Sequence, residues 1–469
     1  PGIKNEGLLS RHELISGTRE RSDWIIAQEK SRQIIGKKKR ELISALGFKT
    51  KRMDNLTELL IAENDYVAVA VLLNEDEIPQ LSNDRFNNIS PVSYALTKAD
   101  KSGIPWVIII QDESIRIYNT KNIGVGRRGR TESYIECKPS LMSSNDIGLL
   151  WLLFSSEALK RNGTITSILE ASKRFSAAIA DDLRDQIYEI AIPTLAMAIA
   201  KARNINSPSK EDVELTYEMS LIVLFRLLFI IYSEDRDLLP YKWNESYRQR
   251  SLKQKAIILS ENSSKNIPSS SVNNHWKDIS ELCEAISSGR EEWGLPSYGG
   301  EMFSSDLSIS KAGYFLSLIN IPNICFEKVL RALLLTNSKE LNFAPVDFRA
   351  LSVREFGTIY EGLLESELSL ATQNLTIDKN GTYLPSTKSD DIKVKAGEIY
   401  IHNKSGNRKS SGSFFTPEFA VEHLLDNALE PAIDIHLKEM DQLSDAKRAE
   451  QFFDFRLADI SMGSGHFLV

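Results

Sequence analysis

Two runs of nearly uninterrupted apolar residues, Tyr66 to Leu73 (YVAVAVLL) and Trp106 to Ile110 (WVIII), limit what the N-terminal third of this chain can fold into. Runs this short, dense in β-branched and aromatic residues and bounded by polar turns, read as buried strands rather than helices. Between them Val92 to Lys101 has helical spacing, and Ile115 to Tyr118 (IRIY) and Tyr134 to Cys137 (YIEC) read as two further strands. A compact α/β unit is expected over residues 1–142. Ahead of these strands, Trp24, Ile25, Ile34, Ile35, Leu42, Ile43 and Leu46 recur at roughly helical spacing, so residues 18–46 are predicted helical.

The outer face of that helix is basic. Lys37, Lys38, Lys39 and Arg40, followed by Lys49, Lys51 and Arg52, either contact the phosphates of double-stranded DNA or form a solvated face. A second basic cluster lies in Gly124-Val125-Gly126-Arg127-Arg128-Gly129, which matches the dinucleotide-binding fingerprint letter for letter. The segment after it, Thr131 to Cys137, reads as a strand, so the helix dipole that the fingerprint requires is missing and a hairpin loop is expected. Arg127, Arg128 and Arg130 on that loop are either a phosphate clamp or an exposed basic turn. A net charge of -7 excludes a protein that coats nucleic acid along its whole surface, but local patches, not the total, decide phosphate affinity.

Residues 143–345 read as mainly helical, with segments over Ile147 to Ser172, Ala178 to Ala202, Lys210 to Ser233, Trp276 to Ile286 and Ala312 to Leu335. The most apolar stretch, Leu221 to Tyr232, holds Arg226 and is shorter than the roughly 20 residues a membrane-spanning helix needs, so a core helix and no membrane association are expected. Glu234, Asp235 and Asp237 come directly after it; with no His or converging fourth group, a helix-end salt-bridge cluster with Arg236 is expected rather than a metal site. Cys137, Cys283 and Cys325 are far apart and lack His at ligand spacing, which points to neither disulfides nor zinc and suits the reducing cytoplasm.

The last sixty or so residues carry the most specific chemistry. Phe455 to Ile460 (FRLADI) has the length of a buried parallel strand, Gly463 and Gly465 permit close backbone approach, and His466 to Val469 reads as the first turn of a helix. Such a turn presents free N–H groups and the positive end of a helix dipole to a ligand, with Asp459 at the strand end to receive a hydroxyl or cationic group. Upstream, Thr416 is a suitable N-cap with Pro417 at the first helical position, and Phe419, Ala420, Leu424, Leu425, Ala428 and Leu429 form the expected buried stripe.

Asp459-x-x-x-Gly463-Ser464-Gly465-x-Phe467-Leu468 resembles the S-adenosylmethionine loop of DNA adenine methyltransferases. Gly412-x-Phe414-Phe415-Thr416-Pro417 is similar to the motif that precedes that loop in Type IIG restriction-modification enzymes and in DISARM- or BREX-like phage-defence systems. The resemblance implies that Asp459, Gly463 and Gly465 line the cofactor, with Phe414, Phe415, Thr416 and Pro417 closing over its methionine end. Leu227 to Pro240 and Val353 to Glu365 resemble further segments of the family, and Pro91 to Tyr118 is similar to its N-terminal domain, which is related to PD-(D/E)xK nucleases.

The implied architecture is α/β plus α. It comprises a PD-(D/E)xK-like α/β domain over 1–142, a helical connector over 143–345, and the start of a Rossmann-like methyltransferase domain over 346–469. The family's Asn-Pro-Pro-Tyr motif does not occur, and the sequence is expected to be the N-terminal portion of a longer protein. Implied partners are double-stranded DNA and other defence-system subunits. Nuclease chemistry needs acids and a Lys converging on Mg²⁺. Glu136 and Lys138 are the best candidates, with Asp112 or Glu113 upstream and Asp65 and Asp76 as further acids. The strand Tyr66 to Leu73 carries no acid or Lys, so a degenerate nuclease fold is expected. The alternatives are a fused restriction endonuclease that uses Mg²⁺ and a DNA-binding platform without catalysis.

Overall fold

The computed structural model describes residues 2–121, 129–205, 209–264, 274–336, 344–351, 353–364, 366–378, 382–387, 391–403, 418–440 and 443–460. It is a mixed α/β structure of two compact units. One comprises Pro1–Leu183, Phe229–Asn266 and Leu334–Ser352; the other comprises Arg184–Leu228, Ile267–Leu333 and Val353–Val469. The helical residues 143–345 are thus shared between both.

The first unit is built on a seven-stranded sheet. Its strands are β1 (Ile3–Glu6), β2 (Lys49–Arg52), β3 (Thr57–Ala62), β4 (Asp65–Leu73), β5 (Trp106–Gln111), β6 (Ser114–Asn119) and β7 (Tyr134–Cys137), in the spatial order β1-β7-β6-β5-β4-β3-β2. Only β4 and β5 pair in parallel, joined by the helix Pro91–Lys101; every other pair is antiparallel. The register Ala68↔Trp106 through Leu73↔Gln111 explains why these two runs do not alternate. Val69, Val71, Val107 and Ile109 pack with Val92, Ala95 and Ala99 of the crossover helix on one face. Ala68, Ala70, Ile108 and Ile110 face a second core containing Leu42, Leu46 and Leu149 to Phe154. A strand covered on both faces has no polar side to show. The edges β1 and β2 are short and polar, which is why neither is visible as an apolar run; all four residues of β2 are exposed.

Helix lengths differ from the sequence reading where backbone chemistry interrupts the period. The single helix expected over 18–46 is a 3₁₀ turn, Gly17–Glu20, and two helices, Trp24–Arg32 and Lys39–Ala45. Gly36 between them holds φ +83°, a conformation that glycine adopts at little cost. In the first of these helices Ile25 faces outward and is 68% exposed, while Trp24 and Ala27, and Ile34 beyond the helix end, enter the core. Farther on, Ser155 in extended backbone separates Gly148–Phe154 from Ser156–Leu159 and caps the latter through Ala158 N–H. By contrast, Thr164–Gln186 runs on through a π turn, Ile187–Ala191, into Ile192–Ala202, and that turn accommodates the missing N–H of Pro193.

The helix Lys210–Asp235 leads from the second unit into the first. It is long and apolar enough to cross a membrane, yet half of its most apolar window is buried within the protein, and core helices meet the same length criterion. In the second unit Pro322 splits the expected helix 312–335 into Lys311–Ser317 and Asn323–Leu334. After Val353–Leu364 come two small antiparallel ribbons, Ser366–Leu370 with Ile399–Asn403 and Leu375–Ile377 with Tyr383–Pro385.

The regular elements among the described residues beyond them are all helical: Glu418–Leu424, the π turn Leu425–Leu429, Glu430–Met440 and Asp445–Phe452. Here two expectations fail. Phe455 to Ile460 is not a strand, and Ile460 is 98% exposed. A strand buried in a parallel sheet needs paired neighbours, and the described residues supply none for this segment. Nor is the stripe through Leu424 and Ala428 buried: Leu424 is 51% exposed, Ala428 is exposed, and Val421 takes the buried position.

Candidate functional site

Of the residues expected to hold the cofactor, Phe414, Phe415, Thr416, Pro417, Gly463 and Gly465 lie outside the described residues. Asp459 is described and partly exposed, seven residues beyond the end of the helix Asp445–Phe452. The described part of the helix that Thr416 and Pro417 were expected to open begins at Glu418.

Among the nuclease candidates, Asp112, Glu113, Glu136 and Lys138 are engaged in polar contacts. Asp112 opens the two-residue turn between β5 and β6 with φ +51°, a conformation that Asp tolerates better than most residues. Its Oδ2 accepts from Lys38 Nζ at 2.9 Å and its carbonyl accepts from Lys39 N–H at 3.0 Å. A candidate acid and a candidate DNA-binding cation therefore pin each other across the turn. Glu113 accepts from the Ser140 hydroxyl. Glu136 is buried on β7 opposite Arg116 of β6. Its Oε1 accepts from Ser114 Oγ at 2.7 Å, Arg116 approaches Oε2 at 3.3 Å, and Lys138 Nζ lies 3.9 Å from Oε1. A guanidinium already compensates this carboxylate, so it serves as a brace between the two strands. Asp65 begins β4, and Asp76 is exposed in the loop after it. Among the described residues no cluster of three or more His, Cys, Asp or Glu side chains is placed to hold a metal ion.

The basic candidates fall into paired and uncompensated groups. Lys38 is paired with Asp112, Lys37 lies 3.8 Å from Glu41, and Arg40 is paired with Glu58. Lys39, Lys49, Lys51 and Arg52 have no carboxylate partner among the described residues. Lys51 Nζ reaches only the Tyr66 hydroxyl at 3.2 Å, and Arg52 donates to Asn55 Oδ1 at 2.6 Å and the Asp54 carbonyl at 3.1 Å. Next to β2 opens a cleft of about 540 Å³ lined by Arg40, Arg52, Arg85, Thr50 and Glu58. Arg127 and Arg128 lie outside the described residues. The segment holding them connects β6 to its antiparallel neighbour β7, so it is a hairpin connection with no helix after it. Arg130 closes the base of that connection through Asp100 and the Thr120 carbonyl at 3.0 Å.

The acidic cluster after the apolar helix is a structural network: neutral donors hold Glu234, and lysines pair with Asp235 and Asp237. Glu234 is fully buried: Oε1 accepts from Tyr247 OH at 2.9 Å and Leu252 N–H at 3.1 Å, and Oε2 accepts from Lys253 N–H at 2.8 Å. It caps the helix Leu252–Ser264 from eighteen residues upstream, as no local sequence signal announces. Burial pushes its carboxyl up to about 7, although the three donors act the other way. Asp235 pairs with Lys253 at 2.5 Å and accepts from Phe348 N–H at 3.0 Å; Asp237 pairs with Lys242 at 2.6 Å and lies 3.9 Å from Arg349. Arg236 donates instead to the Leu351 carbonyl at 3.3 Å. Burial, followed by neighbouring Asp235, raises the Asp347 carboxyl as well.

No family model, no curated protein and no solved structure matches the chain. The geometry and the sequence motifs alone bear on what it does.

Proposed function

We propose that the chain belongs to an S-adenosylmethionine-dependent DNA methyltransferase acting on the exocyclic amine of adenine, within a restriction-modification or phage-defence system. The observation that carries this reading is the order and spacing of Gly412-x-Phe414-Phe415-Thr416-Pro417 and Asp459-x-x-x-Gly463-Ser464-Gly465. Residues Glu418–Leu424, which follow Thr416-Pro417, are helical, as this reading expects. Asp459 would receive a hydroxyl or cationic group, and backbone N–H groups around Gly463 and Gly465 would approach the ligand closely. S-adenosylmethionine supplies an electrophilic methyl group.

Methylating a base inside a duplex requires flipping it out and holding the amine in line with that methyl group. The sequence contains no Asn-Pro-Pro-Tyr motif for this task, so the proposal assigns cofactor binding and DNA docking, not base capture, to these residues. Of the basic residues singled out above, Lys39, Lys49, Lys51 and Arg52 have no carboxylate partner among the described residues and are available for duplex phosphates. The ion pairs of Glu136 and Asp112 lend no support to a Mg²⁺-dependent nuclease centre in the first unit.

The test is calorimetric titration of S-adenosylmethionine into the full-length protein and an Asp459→Ala variant. Saturable binding, weakened at least about tenfold in the variant, is expected, a loss of about 1.4 kcal/mol or more. No binding to the intact protein would overturn the methyltransferase reading and leave a DNA-binding platform in its place.

A further inference from the structure

Arg226 is the one basic residue between Glu211 and Asp235, in the middle of the most apolar helix of the chain. Its guanidinium, half-buried in the second unit, donates through Nε to the Met302 carbonyl at 2.6 Å and through NH2 to the Ser304 carbonyl at 3.2 Å. It also lies 5.9 Å from the centre of the Phe303 ring. Both acceptors are neutral, and no carboxylate forms an ion pair with it among the described residues. A guanidinium has five N–H donors, so three remain without a protein acceptor.

This group lines a cleft of about 450 Å³ whose walls include Val223, Trp276, Ile279, Phe303 and Leu316. Cys283 also lines the cleft, but burial pushes its thiol up to about 11, with Arg226 acting the other way, so at neutral pH it is an uncharged neighbour and not a counter-ion. A partly desolvated cation without an anionic partner is costly, and the cost is relieved when an anion enters beside it. The rim restricts which anion. Glu281 and Glu284 line the cleft from exposed positions, opposed by Lys277 alone, so a polyanion meets like charge there.

We propose that the cleft binds a small organic monoanion, a carboxylate or comparable acid on a flat apolar body. Arg226 makes the charged contact, and Trp276, Ile279 and Phe303 pack the body. The site is independent of the methyltransferase reading and of every residue assigned to cofactor or DNA.

Fluorescence titration of the full chain with 8-anilinonaphthalene-1-sulfonate, alongside its uncharged isostere N-phenyl-1-naphthylamine, tests the proposal. The sulfonate is expected to fill one saturable site per chain and to bind about tenfold tighter than the isostere. Arg226→Met, which keeps the apolar stem, is expected to erase that preference, Arg226→Lys to keep part of it, and Ser317→Trp at the mouth to weaken both probes. Adsorption to apolar surface elsewhere does not respond to Arg226. Equal affinity of the unaltered chain for the two probes, absence of a saturable site, or unchanged sulfonate binding in Arg226→Met would each overturn it. The comparison of probes uses the unaltered protein, so it decides the matter even where a variant fails to fold.

Discussion

Glu234 shows how one side chain gains a property that its sequence neighbours do not announce. Its folded-state carboxyl titrates near 7 against an ordinary 4.5. The group's contribution to stability is therefore fully present below pH 4.5 and is lost as pH rises through 7. Denaturant unfolding measured from pH 4.5 to 8 in the wild type and in Glu234→Gln isolates this contribution, because other groups cancel in the difference. The variant is expected to lose about 1 kcal/mol from one mismatched hydrogen bond. Relative to the variant, the wild type is expected to lose on the order of 2–3 kcal/mol across the window. A difference that stays flat with pH would mean that Glu234 is ionised throughout. Asp112 and Glu136 teach a related lesson. Acid identity and spacing suggest a nuclease, whereas Lys38 and Arg116 have already taken both charges.

Among the elements, β2 joins two roles. Lys49, Thr50, Lys51 and Arg52 form an edge that discourages pairing with another sheet, and three of them are cations without carboxylate partners among the described residues. Replacing Lys49, Lys51 and Arg52 together with Gln is expected to weaken duplex DNA binding by about 10-fold or more at low salt. It should also flatten the dependence of log affinity on log salt by about 3, since each phosphate contact contributes about 0.9. Fluorescence anisotropy across a salt series reads both quantities; an unchanged slope would leave β2 as an edge guard alone. The sequence predicted strands β4 to β7 and the crossover helix because continuous apolar runs leave few alternatives. It misplaced helix boundaries at Gly36, Ser155 and Pro322, where a positive φ, a local cap and a proline each override a period counted from apolar residues alone.

At the scale of the whole molecule, the helix Lys210–Asp235 has the length of a membrane span and the burial of a core element. Flotation with phosphatidylcholine vesicles is expected to leave the protein in the dense fraction; co-flotation would place this helix in lipid. The motifs around Thr416 and Gly463 that carry the proposed function are read from residue order alone, because the pattern they resemble is a local one of glycines, an acid and a helix cap. The surroundings of such a pattern are not local. Phe455 to Ile460 has a strand's composition and forms none here, since a strand exists only with neighbours to bond. The sequence by itself determined the two doubly covered strands and the apolar helix, because each arises from the chemistry of consecutive residues. Tertiary structure alone decided that Glu234 caps a helix, that Asp112 and Glu136 are spent on ion pairs and that Arg226 faces a cleft. Each of these depends on which atoms lie within about 3 Å across long stretches of chain, a relation that residue order does not carry.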